Sequence, residues 1–254
     1  MNPLSDSALL DAWETAAAAT PAERPLVLLA AAEMDASINA LDQLSIPERD
    51  ARLLSLREAI FGPGLQSVVA CEHCGERVEI VFETSDVQVG RSPSSPLTFR
   101  AGGYAGTFRL PVSADWVVLA NAVHGGSSSR ETASVSRDDL RHAVARRCLL
   151  TFAPESSSAA IDLPDEALDA VADAIAQVDA DAHTELSVAC PSCGHEWATL
   201  FDIASFLWGE LDAHCRRLID DVHRMARAYG WTESEILRLT PVRRTRYLEL
   251  IDHE

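Results

Sequence analysis

Two Cys-x-x-Cys-Gly turns constrain this chain more than any other feature. They are Cys71-Glu72-His73-Cys74-Gly75 and Cys190-Pro191-Ser192-Cys193-Gly194. A tetrahedral zinc needs four ligands, with thiolates about 2.3 Å from the metal, and one such turn presents two thiolates on one side of it. Two turns complete the shell, so Cys71, Cys74, Cys190 and Cys193 are expected to form one structural zinc site. The glycine after each second cysteine tolerates positive φ and lets the chain turn beneath the metal. A strand is expected after each turn: Val78, Ile80 and Phe82 alternate with polar residues, and Trp197, Thr199 and Phe201 share a face. The strand after one turn could then pair with its twin after the other. Cys190 lies 190 − 74 = 116 positions after Cys74, so the residues between form an insertion whose ends must meet at the metal.

Rival readings of the cysteines are weaker. A redox Cys-x-x-Cys sits at a helix start, where the dipole lowers the thiol pKa, whereas strands follow both turns here. Structural disulfides suit exported proteins, and the N-terminus lacks the basic and apolar regions of a signal peptide. His183-Thr184-Glu185 with the later Cys190 and Cys193 evokes a zinc nucleobase deaminase. There the two elements lie on separate helices and a proline precedes the first cysteine; here only four residues separate Glu185 from Cys190 and none of them is proline. His195-Glu196 begins a metalloprotease-like motif, but residue 199 is threonine. His73 and His195 are expected to be exposed turn residues, and Cys148 and Cys215 small core residues. A closed four-cysteine shell leaves no position for water or substrate, so no catalytic residue is assigned.

Charge narrows the partners. The chain carries 39 acidic and 21 basic residues, a formal net charge of -18. Such a surface repels phosphate, and basic clusters such as Arg146-Arg147 and Arg243-Arg244 are short. All the basic residues are arginine, which excludes a phosphate-loop lysine and a Schiff-base lysine. No apolar run is long enough to span a membrane. A cytoplasmic location is expected.

Periodicity predicts an α+β fold, mainly helical, with the zinc-ribbon-like element interrupted by an inserted mixed α/β subdomain. Residues 1–70 form an N-terminal helical region, with helices near 6–18, 21–34 and 47–61, the last between Ser45-Ile46-Pro47 and Gly62-Pro63-Gly64. Residues 71–84 and 186–202 are the two halves of the ribbon. The insertion, 85–185, opens with a linker-like tract at 90–96. Strands are predicted at 97–100 and 107–110, then helices at 113–123, 137–150 and 164–178, with Ser113, Ser136 and Asp162 near their starts and serine-rich loops at 125–130 and 155–158. Residues 203–254 form a C-terminal helical region: a long amphipathic helix from Ile203 to Tyr229, a stop at Gly230, a capping box at 232–235, and a last helix from Thr240-Pro241.

In this last region Trp231, Arg243, Arg244 and Tyr247 are candidate partner contacts. Tryptophan, tyrosine and arginine dominate binding hot spots, and arginines stand out on an acidic chain. The alternative is that the leucine, tryptophan and tyrosine side chains here simply pack against the N-terminal helices.

Several stretches resemble the T4-type phage baseplate hub assembly chaperones of contractile tails and related injection systems. They are 44–58 running into Phe61-Gly62-Pro63, the two cysteine turns, Phe108-Arg109-Leu110-Pro111, and Tyr229 to Leu237 continued by Arg243-Arg244 and Tyr247-Leu248. The resemblance, to a zinc-knuckle-containing branch, implies a non-enzymatic factor that binds phage-like baseplate or tail proteins. A nucleic-acid-binding zinc ribbon and a zinc-dependent enzyme are the alternatives.

Overall fold

A computed structural model describes residues 4–33, 37–87, 93, 95–101, 103–125, 136–154, 163–178 and 184–253. The fold is mixed α+β and mainly helical, as expected. Residues 90–92 and 94 of the linker tract and 126–130 and 155–158 of the serine-rich loops, together with Asp162 and His183, lie outside the described residues.

The N-terminal helices are α1 (Asp6–Ala18), α2 (Arg24–Ala32), α3 (Ile38–Leu41) and α4 (Ile46–Phe61). The Ser45 hydroxyl and Glu48 carboxylate cap α4 reciprocally, and Gly62 ends it at φ 85. Leu53 and Leu56 then face Leu9, Leu29, Leu207 and Leu211 in one helical core. The expected helix at 21–34 runs over Arg24–Ala32, preceded by a turn in which the Glu23 carboxylate accepts from the Thr20 N–H and hydroxyl.

Next come β1 (Gly64–Ala70) and β2 (Arg77–Glu83), an antiparallel hairpin around the first cysteine turn; β6 (Thr184–Ala189) and β7 (Glu196–Phe201) form the same hairpin around the second. This corrects the expectation that the strands after the two turns pair with each other. Each pairs instead with the strand before its own turn. The hairpins meet face to face: Val69, Val78 and Ile80 pack with Val188 and Trp197, and Phe82 meets Phe201 edge-on at 5.3 Å. β1 and β6 escape a periodicity search because Gly, Ser and Ala dilute their alternation.

Between the hairpins, β3 (Leu97–Ala101), β4 (Tyr104–Phe108) and β5 (Leu149–Pro154) form an antiparallel sheet in the order β3-β4-β5. Helices α5 (Ser113–Gly125), α6 (Arg137–Cys148) and α7 (Asp165–Val178) accompany it. Phe99, Phe108, Cys148, Leu168, Val171 and Ile175 share its core. Gly106 stands in register between Phe99 and Phe152, where a Cβ would collide with the Thr151 carbonyl and the Phe99 ring. The helix predicted to reach residue 150 stops at Cys148, since Leu149 already belongs to β5. Ser45 bridges Val112, and the Ser113 and Ala114 N–H groups donate to Leu44 and Asp42 carbonyls, which fastens this unit to the α3–α4 corner.

The chain closes with α8 (Ile203–Tyr229), α9 (Glu233–Leu237) and α10 (Pro241–Asp252). α8 has 27 residues, about 40 Å at 1.5 Å per residue, and carries Leu207, Leu211, Cys215 and Leu218 into the helical core. Among the described residues no helix is long and apolar enough to cross a membrane.

Candidate metal centre

The two turns repeat the same local geometry. Each first cysteine accepts at its carbonyl from the glycine that closes the turn, Gly75 to Cys71 and Gly194 to Cys190, both at 2.9 Å. Each also donates its own N–H onward, Cys71 to Glu76 and Cys190 to His195, both at 2.8 Å. The glycines hold φ of 74 and 72, a conformation that would strain other residues. Stacking the hairpins brings the turns together at one end of the interface.

There the thiols of Cys71, Cys74, Cys190 and Cys193 all lie within 4.8 Å of one another. Cys71 Sγ is 3.7 Å from Cys193 Sγ, and Cys74 Sγ is 3.7 Å from Cys190 Sγ. A tetrahedron whose thiolates sit about 2.3 Å from its centre has edges of about 3.8 Å, so these separations fit a metal at the midpoint. They are far longer than a disulfide bond of about 2.05 Å. Cys71 and Cys190 are buried and the second cysteine of each turn is exposed, so the cluster has one apolar side and one open to solvent.

Backbone donors favour thiolate character. Burial opposes ionisation of Cys190, but the N–H groups of Cys193 and Ser192 and the neighbouring thiols outweigh it and bring its pKa down to about 7. The Glu76 N–H acts in the same sense on Cys74. Its thiol partners, Cys193 foremost, prevail there and push Cys74 up to about 12. Four thiols alone thus share protons, and a divalent cation would displace them, because thiolate is the metal-binding form. His73 and His195 sit ring to ring at 5.6 Å, with His195 stacked on Trp197 at 5.8 Å. His73 is exposed and His195 half-buried. Cys148 and Cys215 are buried in the two separate cores.

The C-terminal candidates are divided between core and surface. Arg244 is 6% exposed and donates to Asp6 at 2.7 Å, tying α10 to the start of α1. Trp231 and Tyr247 close an aromatic cluster with Tyr229, at centroid distances of 4.9 Å from Trp231 to each tyrosine, over Met225, Ile236 and Leu248. Arg243 faces solvent. Sequence reasoning missed the ion cluster in which Asp115, 1% exposed, accepts from Arg109 at 2.6 and 2.9 Å and from Arg147 at 2.8 Å. The Arg109-Leu110-Pro111 stretch held the signal, but its acidic partner lies on another element.

A family model described as T4 bacteriophage base plate protein matches residues 31–208. That span takes in α4, both cysteine turns and the whole insertion, and stops within α8, short of the C-terminal stretch 229–248. No curated protein and no solved structure matches the chain.

Proposed function

Because the chain belongs to the T4 bacteriophage base plate protein family, we propose that it is a non-enzymatic, protein-binding factor for assembling a contractile-tail or injection-system baseplate hub, held together by a structural zinc. Family membership implies association with other tail or baseplate proteins. The chaperone role and the zinc-bearing branch are our finer reading. The observation that carries it is the cluster of four thiols, which as ligands would close a tetrahedral shell and leave no position for a substrate. With a net charge of -18, the surface suits a protein partner better than a polyphosphate.

In this reading residues 71–84 and 186–202 form one ribbon, 85–185 an inserted subdomain, and 1–70 with 203–254 the helical body. Trp231, Arg243 and Tyr247 offer a contact surface, with Arg244 holding α10 beneath it. The protein acts in the bacterial cytoplasm and either leaves or stays in the finished particle.

The test is metal analysis with co-purification. Purified protein should hold about one zinc per chain, and Cys71→Ser or Cys190→Ser should each lower metal content and melting temperature. Baseplate proteins encoded beside its gene should co-purify with the wild type, and Arg243→Ala with Tyr247→Ala should reduce that capture with zinc content unchanged. Full stability after complete chelation would overturn the zinc, and failure to capture any neighbouring baseplate protein would overturn the assembly role.

A further inference from the structure

An open groove of about 520 Å³ runs between β1 and α8, lined in part by Gln66, Ser67 and Val68 on one side and Gly209, Ala213 and Arg217 on the other. Side chains of consecutive strand residues point to opposite faces, so a space that touches all three of Gln66, Ser67 and Val68 meets the strand at its edge. Among the described residues that edge is unpaired, because β1 belongs to a two-stranded sheet with β2 alone.

The ladder shows which backbone groups face the groove. Thr84 N–H donates to the Pro63 carbonyl and Cys71 N–H to the Glu76 carbonyl, which brackets β1 with hydrogen-bonded pairs. Such pairs recur at every second residue. Leu65, Ser67 and Val69 therefore exchange bonds with β2, while Gln66 and Val68 turn their N–H and C=O outward. Among the described residues nothing meets those groups. Val68 is 51% exposed, an apolar side chain left at a strand edge.

The helical wall is equally unusual. Gly209 sits in the interior of α8, where glycine weakens a helix, in a chain that uses alanine freely. Among the described residues a Cβ at this position would meet nothing within 4 Å, so none of them requires glycine here. What glycine permits is close approach by another backbone from outside. Ser205, Gly209, Ala213 and Arg217 recur at every fourth residue and span about 18 Å of helix, the length of about five extended residues. Arg217 makes no ion pair or hydrogen bond among the described residues, although the chain is strongly acidic.

We propose that this groove binds an extended, carboxylate-bearing segment of a baseplate protein, which adds a strand to the free edge of β1, passes over Gly209 and sets its acid on Arg217. The mode is β-augmentation: main-chain hydrogen bonds supply affinity, and the helix wall and arginine supply selection. It rests on the protein-binding reading above and names where that binding occurs. A second copy of this chain is the poorer occupant, since two bodies of charge -18 repel.

The test uses the full zinc-loaded chain against two probes: neighbouring baseplate proteins co-expressed one at a time, and a displayed library of random linear peptides. Val68→Pro removes only an outward N–H and spares the β1–β2 ladder, as proline does on an edge strand. Gly209→Trp fills the groove. Gly209→Ala is the fold control and should melt no lower than wild type. We expect enriched peptides with alternating apolar residues and an acid at one end. Their affinity should fall at least about tenfold with Val68→Pro or Gly209→Trp, and acids should lose their advantage with Arg217→Glu. Binding indifferent to Val68→Pro and Gly209→Trp, or no peptide enriched, overturns the groove. Wild-type capture of a baseplate protein that persists in both variants overturns the groove and leaves the assembly role intact, whereas no capture by the wild type overturns the role itself.

Discussion

Arg57 shows how one side chain can join two elements. It is 3% exposed, yet each of its guanidinium nitrogens donates, Nε and Nη2 to Glu210 at 2.8 Å and Nη1 to the Gly62 carbonyl at 2.6 Å. The pair locks α4 to α8 beside the start of β1. Removing one partner of a buried pair leaves an unpaired charge, typically at a cost of about 3–5 kcal/mol; Glu210 is 29% exposed, which reduces this. Arg57→Ala should therefore lower unfolding stability by about 2–4 kcal/mol in urea titration. Arg57→Met combined with Glu210→Leu should recover part of the loss, because it removes both charges.

At the level of elements, α5 depends on electrostatics. It is apolar along most of its length and its Trp116 is exposed, so packing alone orients it weakly. Asp115 supplies the missing anchor, gathering Arg109 after β4 and Arg147 at the end of α6, and accepting from the Val112 N–H at 3.0 Å. Burial by itself would raise the Asp115 pKa, but hydrogen bonds from Arg109, Val112 and Arg147 outweigh it and hold the carboxyl below its usual range. Its folded pKa is thus depressed. The stability it contributes is complete above the unfolded value of about 3.9 and is lost as pH falls through the lower folded value. Asp115→Asn should destabilise the protein at neutral pH, and the gap to wild type should close below about pH 4 in denaturation measured across pH. A gap that stays constant to the lowest pH would count against the ion cluster.

For the whole molecule, the cysteine cluster closes a long loop. It joins thiols separated by 190 − 74 = 116 positions, with Cys74 and Cys190 Sγ atoms 3.7 Å apart. By analogy with a covalent cross-link, closing a loop of that size removes about 4–5 kcal/mol of unfolded-state entropy. Only modest apolar packing, centred on Val78 and Val188, would hold the hairpin ends together without metal. Chelation should therefore loosen the hairpin pair before the helical core, whose buried leucines lie away from the thiols. Limited proteolysis followed by mass spectrometry should show early cleavage near residues 70–80 and 185–195 in chelated protein, with α4 and α8 protected. Uniform cleavage would mean that the ribbon and the helical body unfold as one unit.

Much of this protein could be read from its residues alone, because the relevant signals are local. Capping boxes mark helix starts at Ser45, Ser136 and Thr232, and the three- and four-residue recurrence from Ile203 to Tyr229 is the helical period itself. The Cys-x-x-Cys-Gly turns likewise fix their own geometry, since the positive φ of Gly75 and Gly194 and the bond from each glycine N–H to the cysteine carbonyl act within a few residues. Pairing is decided elsewhere. That each strand joins the one before its own turn follows from hairpin closure, which shortens the loop to a few residues, and no pattern of side chains displays that choice. Arg244 read as a surface cation beside Arg243, yet a helix turns adjacent residues about 100° apart, so one meets Asp6 in the interior while the other faces water. The free edge of β1, the open space over Gly209 and the anchoring of Asp115 are also products of the tertiary structure, because each depends on elements that only folding brings side by side.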